Sequence, residues 1–245
     1  MTLNCALRKE SEMPAIETSM TLAEIINSYP SLARELDGWR LDYCCNGSQT
    51  LAQACTALGV DPEELAGELS RDSDSTVTSD WVGLNAADLV DHLEATHHLY
   101  LHKELPRLAT LGEKVGNAHQ DSFPELLEVV GTFDALKSDL QPHLMKEEKV
   151  LFPLIRQLVA SDEHPDFQCG SIASPISVMT QEHRNAGWLL DRLVDLTGNF
   201  EPPSDGCASV QAFYEGLAQL NADTRLHVHK ENNVLFPTVL RLERR

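Results

Sequence analysis

Two segments 84 residues apart carry nearly the same residues: His143-Leu-Met-Lys-Glu147-Glu-Lys-Val-Leu-Phe-Pro153 and His227-Val-His-Lys-Glu231-Asn-Asn-Val-Leu-Phe-Pro237. Each sets a histidine four residues before a glutamate. On an α-helix that spacing projects both side chains from one face, one turn apart. Imidazole with carboxylate suits iron, manganese or zinc. Two copies imply either two metals or one site built symmetrically. A single His-x-x-x-Glu is weak evidence, because such i,i+4 pairs are common on exposed helix faces. The repeat, however, extends further. His98 lies 45 residues before His143, and His183 lies 44 before His227. The chain beyond residue 82 therefore reads as two copies of a helix pair, each giving one lone His and one His-x-x-x-Glu.

Four elements must carry these residues. A first helix is expected over about 85–109, trimmed or bent by Pro106, and a second follows Ser122-Phe-Pro-Glu125 and ends near Val159, with Pro142 kinking or breaking it. A third runs from Ser174-Pro175 to Thr197-Gly198, and a fourth spans about 208–242. With no convincing alternating-strand segment, the fold class is all-α: an up-down-up-down four-helix bundle over 81–245. Ligands facing inward from all four helices converge at one depth, so His98, His143, Glu147, His183, His227 and Glu231 form the expected metal set. Both carboxylates can bridge a metal pair. Six protein ligands leave coordination positions for water or an exogenous ligand, which favours iron or manganese over a closed zinc site.

The remaining histidines are expected elsewhere. His97 points about 100° from His98, towards solvent or behind the ligands. His102, one turn after His98, is an alternative ligand. His92 reads as packed or exposed, His229 as exposed, and His119 and His164 as surface residues. Glu148 reads as a solvated charge or a residue behind the ligands.

Ahead of the bundle, residues 18–70 read as a small helical domain and 1–17 as a loose leader. Thr21 with Glu24 fits a capping box, Asp61-Pro62 a helix start, and Asp42-Tyr-Cys44-Cys45-Asn-Gly47 a turn. Residues 71–80 (RDSDSTVTSD) hold too little apolar surface to bury a face and read as a linker. Adjacent Cys44 and Cys45 are either ordinary thiols or a pair that accepts iron or persulfide, or senses redox state.

The net charge of −19 argues against nucleic acid and acidic membranes as partners. No apolar run reaches the roughly 20 residues of a membrane span. No secretory signal is apparent, and six cysteines in 245 residues are not a disulfide scaffold. A cytoplasmic protein is expected.

The combination of Asp42-Tyr-Cys44-Cys45-Asn-Gly47, His97-His98…Glu104-Leu-Pro106, His143-x-x-x-Glu147, Glu182-His183 and His227-x-x-x-Glu231-Asn-Asn-Val-Leu-Phe-Pro237 resembles the RIC family (repair of iron centres, also called ScdA or YtfE-like). The resemblance covers about 20–242. It implies a hemerythrin-like bundle with a non-haem di-iron centre on the six residues named above. It also implies a role in restoring iron–sulfur clusters damaged by nitric oxide or oxidants, with damaged or apo iron–sulfur proteins as partners. Two other functions share the same ligands: a binder or sensor of nitric oxide or dioxygen, and a nitric oxide reductase. Oxygen-carrying hemerythrins look similar in fold but place a further histidine four residues after the third-helix ligand. Here that residue is Gly187, so a more open centre is expected.

Overall fold

The computed structural model describes residues 15–73, 80–119, 121–161, 167 and 170–245. His164, Cys5 and Cys169 lie outside the described residues, as does most of the expected linker.

Four short helices come first: α1 (Leu22–Ser28), α2 (Ala33–Gly38), α3 (Leu51–Leu58) and α4 (Pro62–Asp72). Their starts follow from local chemistry. Thr21 and Glu24 form the expected capping box, and Asp61 accepts from the Glu63 and Glu64 amides ahead of Pro62. Thr50 and Gln53 form a second capping box, legible as Thr-x-x-Gln but not anticipated. Two expectations shift here. Ile16, assigned to a loose leader, is buried, and its N–H donates to Ser70 Oγ. Helix α4 continues through Asp72, two residues into the expected linker.

The bundle has four rods. The first joins α5 (Ala86–Leu93) and α6 (Leu99–His119) through a π-helical turn at Glu94–His98. The second joins α7 (Leu126–Lys146) and α8 (Phe152–Ala160) through a π turn at Glu147–Leu151. The third is α9 (Ala173–Leu196), and the fourth joins α10 (Ala208–Lys230) and α11 (Phe236–Leu242) through a π turn at Glu231–Leu235. The first rod runs ten residues past its expected end at 109, continuing through Pro106 to His119, and Pro142 neither ends nor breaks α7. No strand occurs among the described residues; one isolated bridge pairs Thr21 with Thr50.

The π turns have a local cause in the second and fourth rods. Pro153 and Pro237 offer no N–H to the carbonyl four residues back, and their rings crowd it. The ladder widens there instead, so that the N–H of Phe152 reaches the Glu147 carbonyl and that of Phe236 reaches the Glu231 carbonyl. The turn before each bulge stays α-helical, with Glu147 N–H on His143 O and Glu231 N–H on His227 O. Each His and Glu therefore keeps a common face.

Two apolar cores fill the bundle. One includes Leu105, Phe133, Leu190 and Phe213, and the other includes Val90, Phe152, Ile155 and Phe236. The polar residues of the two repeats form the layer between them. The N-terminal helices enclose a third core that takes in Val228 of α10, so this small unit packs on the bundle. Gly47 marks how closely: a Cβ there would stand 2.4 Å from Asn233 Oδ1 and 2.7 Å from the Tyr43 carbonyl oxygen.

Gly47→Ala should accordingly cost about 1–3 kcal/mol, because a backbone carbonyl cannot move aside. Gly67→Ala, inside α4 with no atom within 4 Å of the added Cβ, should stabilise by about 0.5–1 kcal/mol. Urea unfolding of the full chain measures both.

Candidate metal centre

All six expected residues meet in the polar layer. Glu147 and Glu231 have no solvent exposure at all, and His98, His143, His183 and His227 are buried around them. The side chains form two clusters, His98–Glu147–His227–Glu231 and His143–Glu147–His183–Glu231, within each of which the possible ligand atoms lie within 4.8 Å of one another. The two carboxylates belong to both. Two His/Glu clusters sharing two carboxylates is the arrangement of a di-metal site.

The outward ring nitrogens are held by partners behind them. His98 Nδ1 meets Glu148 Oε1 at 3.0 Å, His143 Nδ1 meets Glu182 Oε2 at 2.9 Å, and His183 Nδ1 meets Asn232 Oδ1 at 2.9 Å. Such partners orient a ligating imidazole and fix which nitrogen is free. The inward nitrogens face the carboxylates: His143 Nε2 is 3.2 Å from Glu147 and His183 Nε2 is 3.1 Å from Glu231, with His98 and His227 at 3.4 Å from Glu147 and Glu231 respectively. These are ion-pair distances without hydrogen-bond alignment at the carboxylates. All four carboxylate oxygens, together with Nε2 of His98 and His227, are buried without a hydrogen-bond partner. Buried polar atoms are seldom left so. His143 Nε2 and His183 Nε2 also face each other at 3.2 Å, a repulsive pair of lone pairs unless a cation or proton lies between them. The donor set fits a metal pair.

As a protein-only cluster, the site is held by charge. Burial and mutual repulsion would raise both carboxyls, but the imidazoles outweigh this, keeping Glu147 low and Glu231 well below the usual range. Burial would likewise depress His143, yet Glu147, Glu231 and Glu182 push it up to about 9.

Of the other residues, His229 departs from expectation, whereas His97 and Glu148 take the second of the two placements expected for each, behind the inward-facing residues. His97 is not in solvent: it is only 4% exposed, stacks on His227 at 5.3 Å between ring centroids, and bonds Asp223 Oδ1 at 2.8 Å. Lys230 Nζ donates to both His97 Nε2 and His92 Nε2 at 2.9 Å and lies over the Trp81 ring. Burial lowers Lys230 to about 8 and keeps His97 in its neutral form. His229, expected to be exposed, is fully buried between the Tyr43 carbonyl and Asn27 of the small unit. His102 stays half-exposed and bonds Glu148 Oε1 at 2.6 Å, so Glu148 is not a free charge: it joins His102 to His98. His119, half-buried at the end of α6, meets Cys207 Sγ at 3.1 Å.

The Cys44–Cys45 turn lies against the third and fourth rods. Asn232 and Asn233, next to Glu231 in the fourth-rod π turn, donate to the Cys44 carbonyl, each at 3.1 Å. Asp42 Oδ1 accepts from the Cys45 N–H at 2.9 Å and from Cys44 Sγ at 3.1 Å. Cys45 Sγ is 3.8 Å from the His183 carbonyl and 3.7 Å from where a Cβ on Gly187 would stand. The place expected to be open is thus faced by a thiol. A cavity of about 180 Å³, lined by Asp139, Pro142, His143, Glu182 and His183 among others, gives access beside it.

The model of the hemerythrin HHE cation binding domain matches residues 88–239, and that of the ScdA N-terminal domain, whose function is unknown, matches 18–73. The chain is a YtfE-like member of the hemerythrin HHE family. It is 34% identical over 219 residues to the iron-sulfur cluster repair protein YtfE of Salmonella choleraesuis, covering 89% of this chain and 96% of that protein. The YtfE proteins of Shigella boydii and of an Escherichia coli O17:K52:H18 strain are each 35% identical over 221 residues, with the same coverage. No helix among the described residues is long and apolar enough to cross a membrane.

The buried partners of Lys230 give a test. His97→Ala should leave its ammonium short of an acceptor and destabilise the full chain by about 2 kcal/mol. His102→Ala, at the surface, should stay within about 0.5 kcal/mol. Denaturant unfolding distinguishes them.

Proposed function

We propose that this protein holds a non-haem di-iron centre on His98, His143, Glu147, His183, His227 and Glu231, and supplies iron for rebuilding iron–sulfur clusters damaged by nitric oxide or oxidants. The observation that carries the reading is the pair of fully buried carboxylates, every oxygen lacking a hydrogen-bond donor, at the centre of four inward-facing imidazoles. Such a site bound to iron would supply exchangeable ferrous ions with positions open to a small ligand. The chain's own residues do the rest. Glu147 and Glu231 would be shared between the two ions and the four imidazoles would hold the two sides, while Glu148, Glu182 and Asn232 fix three of those imidazoles from behind.

The same reading divides the chain into a Cys-Cys unit at 18–70, a connection at 71–80 and the bundle at 81–245. Cys44 and Cys45 act as a softer thiol acceptor for iron on the flank of the site. Their nearness to His183, and the name of the relatives, support repair over gas binding alone. Damaged or apo iron–sulfur proteins are the corresponding partners, and the four free cysteines among the described residues fit a reducing cytoplasm. Nitric oxide or dioxygen binding is the second reading, favoured by the cavity at His143 and His183.

Protein from iron-replete cells should contain about two irons per chain. Glu147→Ala and Glu231→Ala should lower that content, while His119→Ala leaves it unchanged. One tightly held zinc in place of the irons, in protein from those cells, would overturn the assignment. A protonated His143 cannot ligate, so ferrous affinity should climb with pH and level off near the value of about 9 at which it loses its proton. A titration against a competing chelator from pH 6 to 10 measures this.

Iron-loaded protein should restore a nitric-oxide-damaged cluster enzyme better than the same amount of free ferrous ion. The full chain carrying Cys44→Ala and Cys45→Ala, at equal iron loading, should restore it less. Equal restoration by free iron would remove the repair role, and full restoration by the double variant would remove the thiols from it.

A further inference from the structure

We infer that Asn232 is a positioning residue that couples docking of the Cys44–Cys45 turn to the tautomer of His183, so that metal loading and docking of the N-terminal helices reinforce each other. The inference rests on the proposed metal centre. Asn232 sits in the π turn directly after Glu231 and works at both ends of its amide. Oδ1 lies 2.9 Å from His183 Nδ1, and Nδ2 donates to the Cys44 carbonyl at 3.1 Å.

The chemistry of these groups fixes the direction. A backbone carbonyl only accepts, so a docked Cys44 carbonyl forces Nδ2 towards itself and Oδ1 towards His183. An Oδ1 facing His183 requires the proton on Nδ1, which leaves the Nε2 lone pair directed at the site. With the turn undocked, the amide is free to rotate and donate to Nδ1. That places the ring proton on Nε2, where it blocks ligation. His98 and His143 have no such dependence, because Glu148 and Glu182 are carboxylates of the bundle itself and only accept. Among the described residues, only the His183 partner reaches across to the N-terminal unit. Asn233 provides the contrast: it donates to the Tyr43 and Cys44 carbonyls at 3.2 and 3.1 Å without touching His183.

Coupling of this kind is reciprocal, so anything that fixes His183 with Nε2 inward must also tighten the turn. Backbone hydrogen exchange over residues 41–50 of the full chain, with and without ferrous iron added anaerobically, reads it directly. In the wild-type protein iron should slow exchange by about tenfold, within the usual range of such couplings. Asn232→Asp keeps the acceptor for His183 and loses the donor for Cys44, so it should still load iron but lose the iron-dependent slowing. Asn233→Ala should exchange faster in both states and retain that slowing. Asn232→Ala, the second variant, should lose the slowing and bind iron about 10- to 100-fold more weakly.

Iron that loads into the wild-type protein without altering exchange overturns the coupling. So does an Asn232→Asp protein that keeps the full slowing, since iron held directly by the thiols would protect the turn in that variant too. Wild-type iron affinity in Asn232→Ala also counts against it. Failure of the wild-type chain to take up iron would instead refute the metal reading beneath it, and this inference with it.

Discussion

Two carboxylates buried side by side in the middle of a helical bundle, with no hydrogen-bond donor on any oxygen, are the constraint on which the rest depends. Burying even one unpaired carboxylate costs several kcal/mol, and two repel each other as well. The structure answers with positive or polarisable groups on every side. Four imidazoles converge, and three of them are backed by Glu148, Glu182 and Asn232. A second polar set, buried His97 and Lys230 with half-buried His92 and Asp223, lies behind His227 through the His97 stack. Apolar cores on either side keep water from diluting these interactions. A bundle built for stability alone would fill this layer with leucine. The layer instead places two shared carboxylates among four imidazoles, a donor set that fits a pair of cations.

The wide turns belong to the same design. Glu147 and Glu231 each open a π turn, and the residue after each, about 100° round the helix, faces away from the site and is free for another task. In the fourth rod that residue is Asn232, which with Asn233 holds the Cys44–Cys45 turn. In the second rod it is Glu148, which holds His98 and His102. In each repeat the inward-facing glutamate is thus followed directly by a residue that supports a neighbour.

The two units are joined by polar contacts as well as by apolar burial. Arg225, buried in α10, lies 3.6 Å from Asp37 of α2 and 2.5 Å from Asp191 of α9, and Arg40 pairs with Asp195. Burial raises Asp37 to about 7 even beside Arg225. A seam with this much charge, next to a close contact at Gly47, holds a defined geometry without the permanence of a purely apolar core.

Much of this was legible in the residues themselves. The duplicated His-x-x-x-Glu, matched to His98 and His183 at spacings of 45 and 44 residues, located the six inward residues because helical periodicity depends only on separation along the chain. Capping chemistry at Thr21 and Asp61 was local in the same way. What escaped was decided by neighbours distant in sequence. His97 pointed off the ligand face, yet in a bundle that direction meets the fourth rod, not solvent. His229 also lay off that face and is buried because a second unit covers it. Prolines 142 and 106 could not be told from helix ends by local rules, since neighbouring rods hold the helices through them. Prolines 153 and 237, in contrast, were the available signal for two π turns. That these six residues share one polar layer could be found from spacing alone. Which groups stand behind them, and that Cys45 faces Gly187, arose only when the rods and the small unit came together, because those contacts join residues that no periodicity relates.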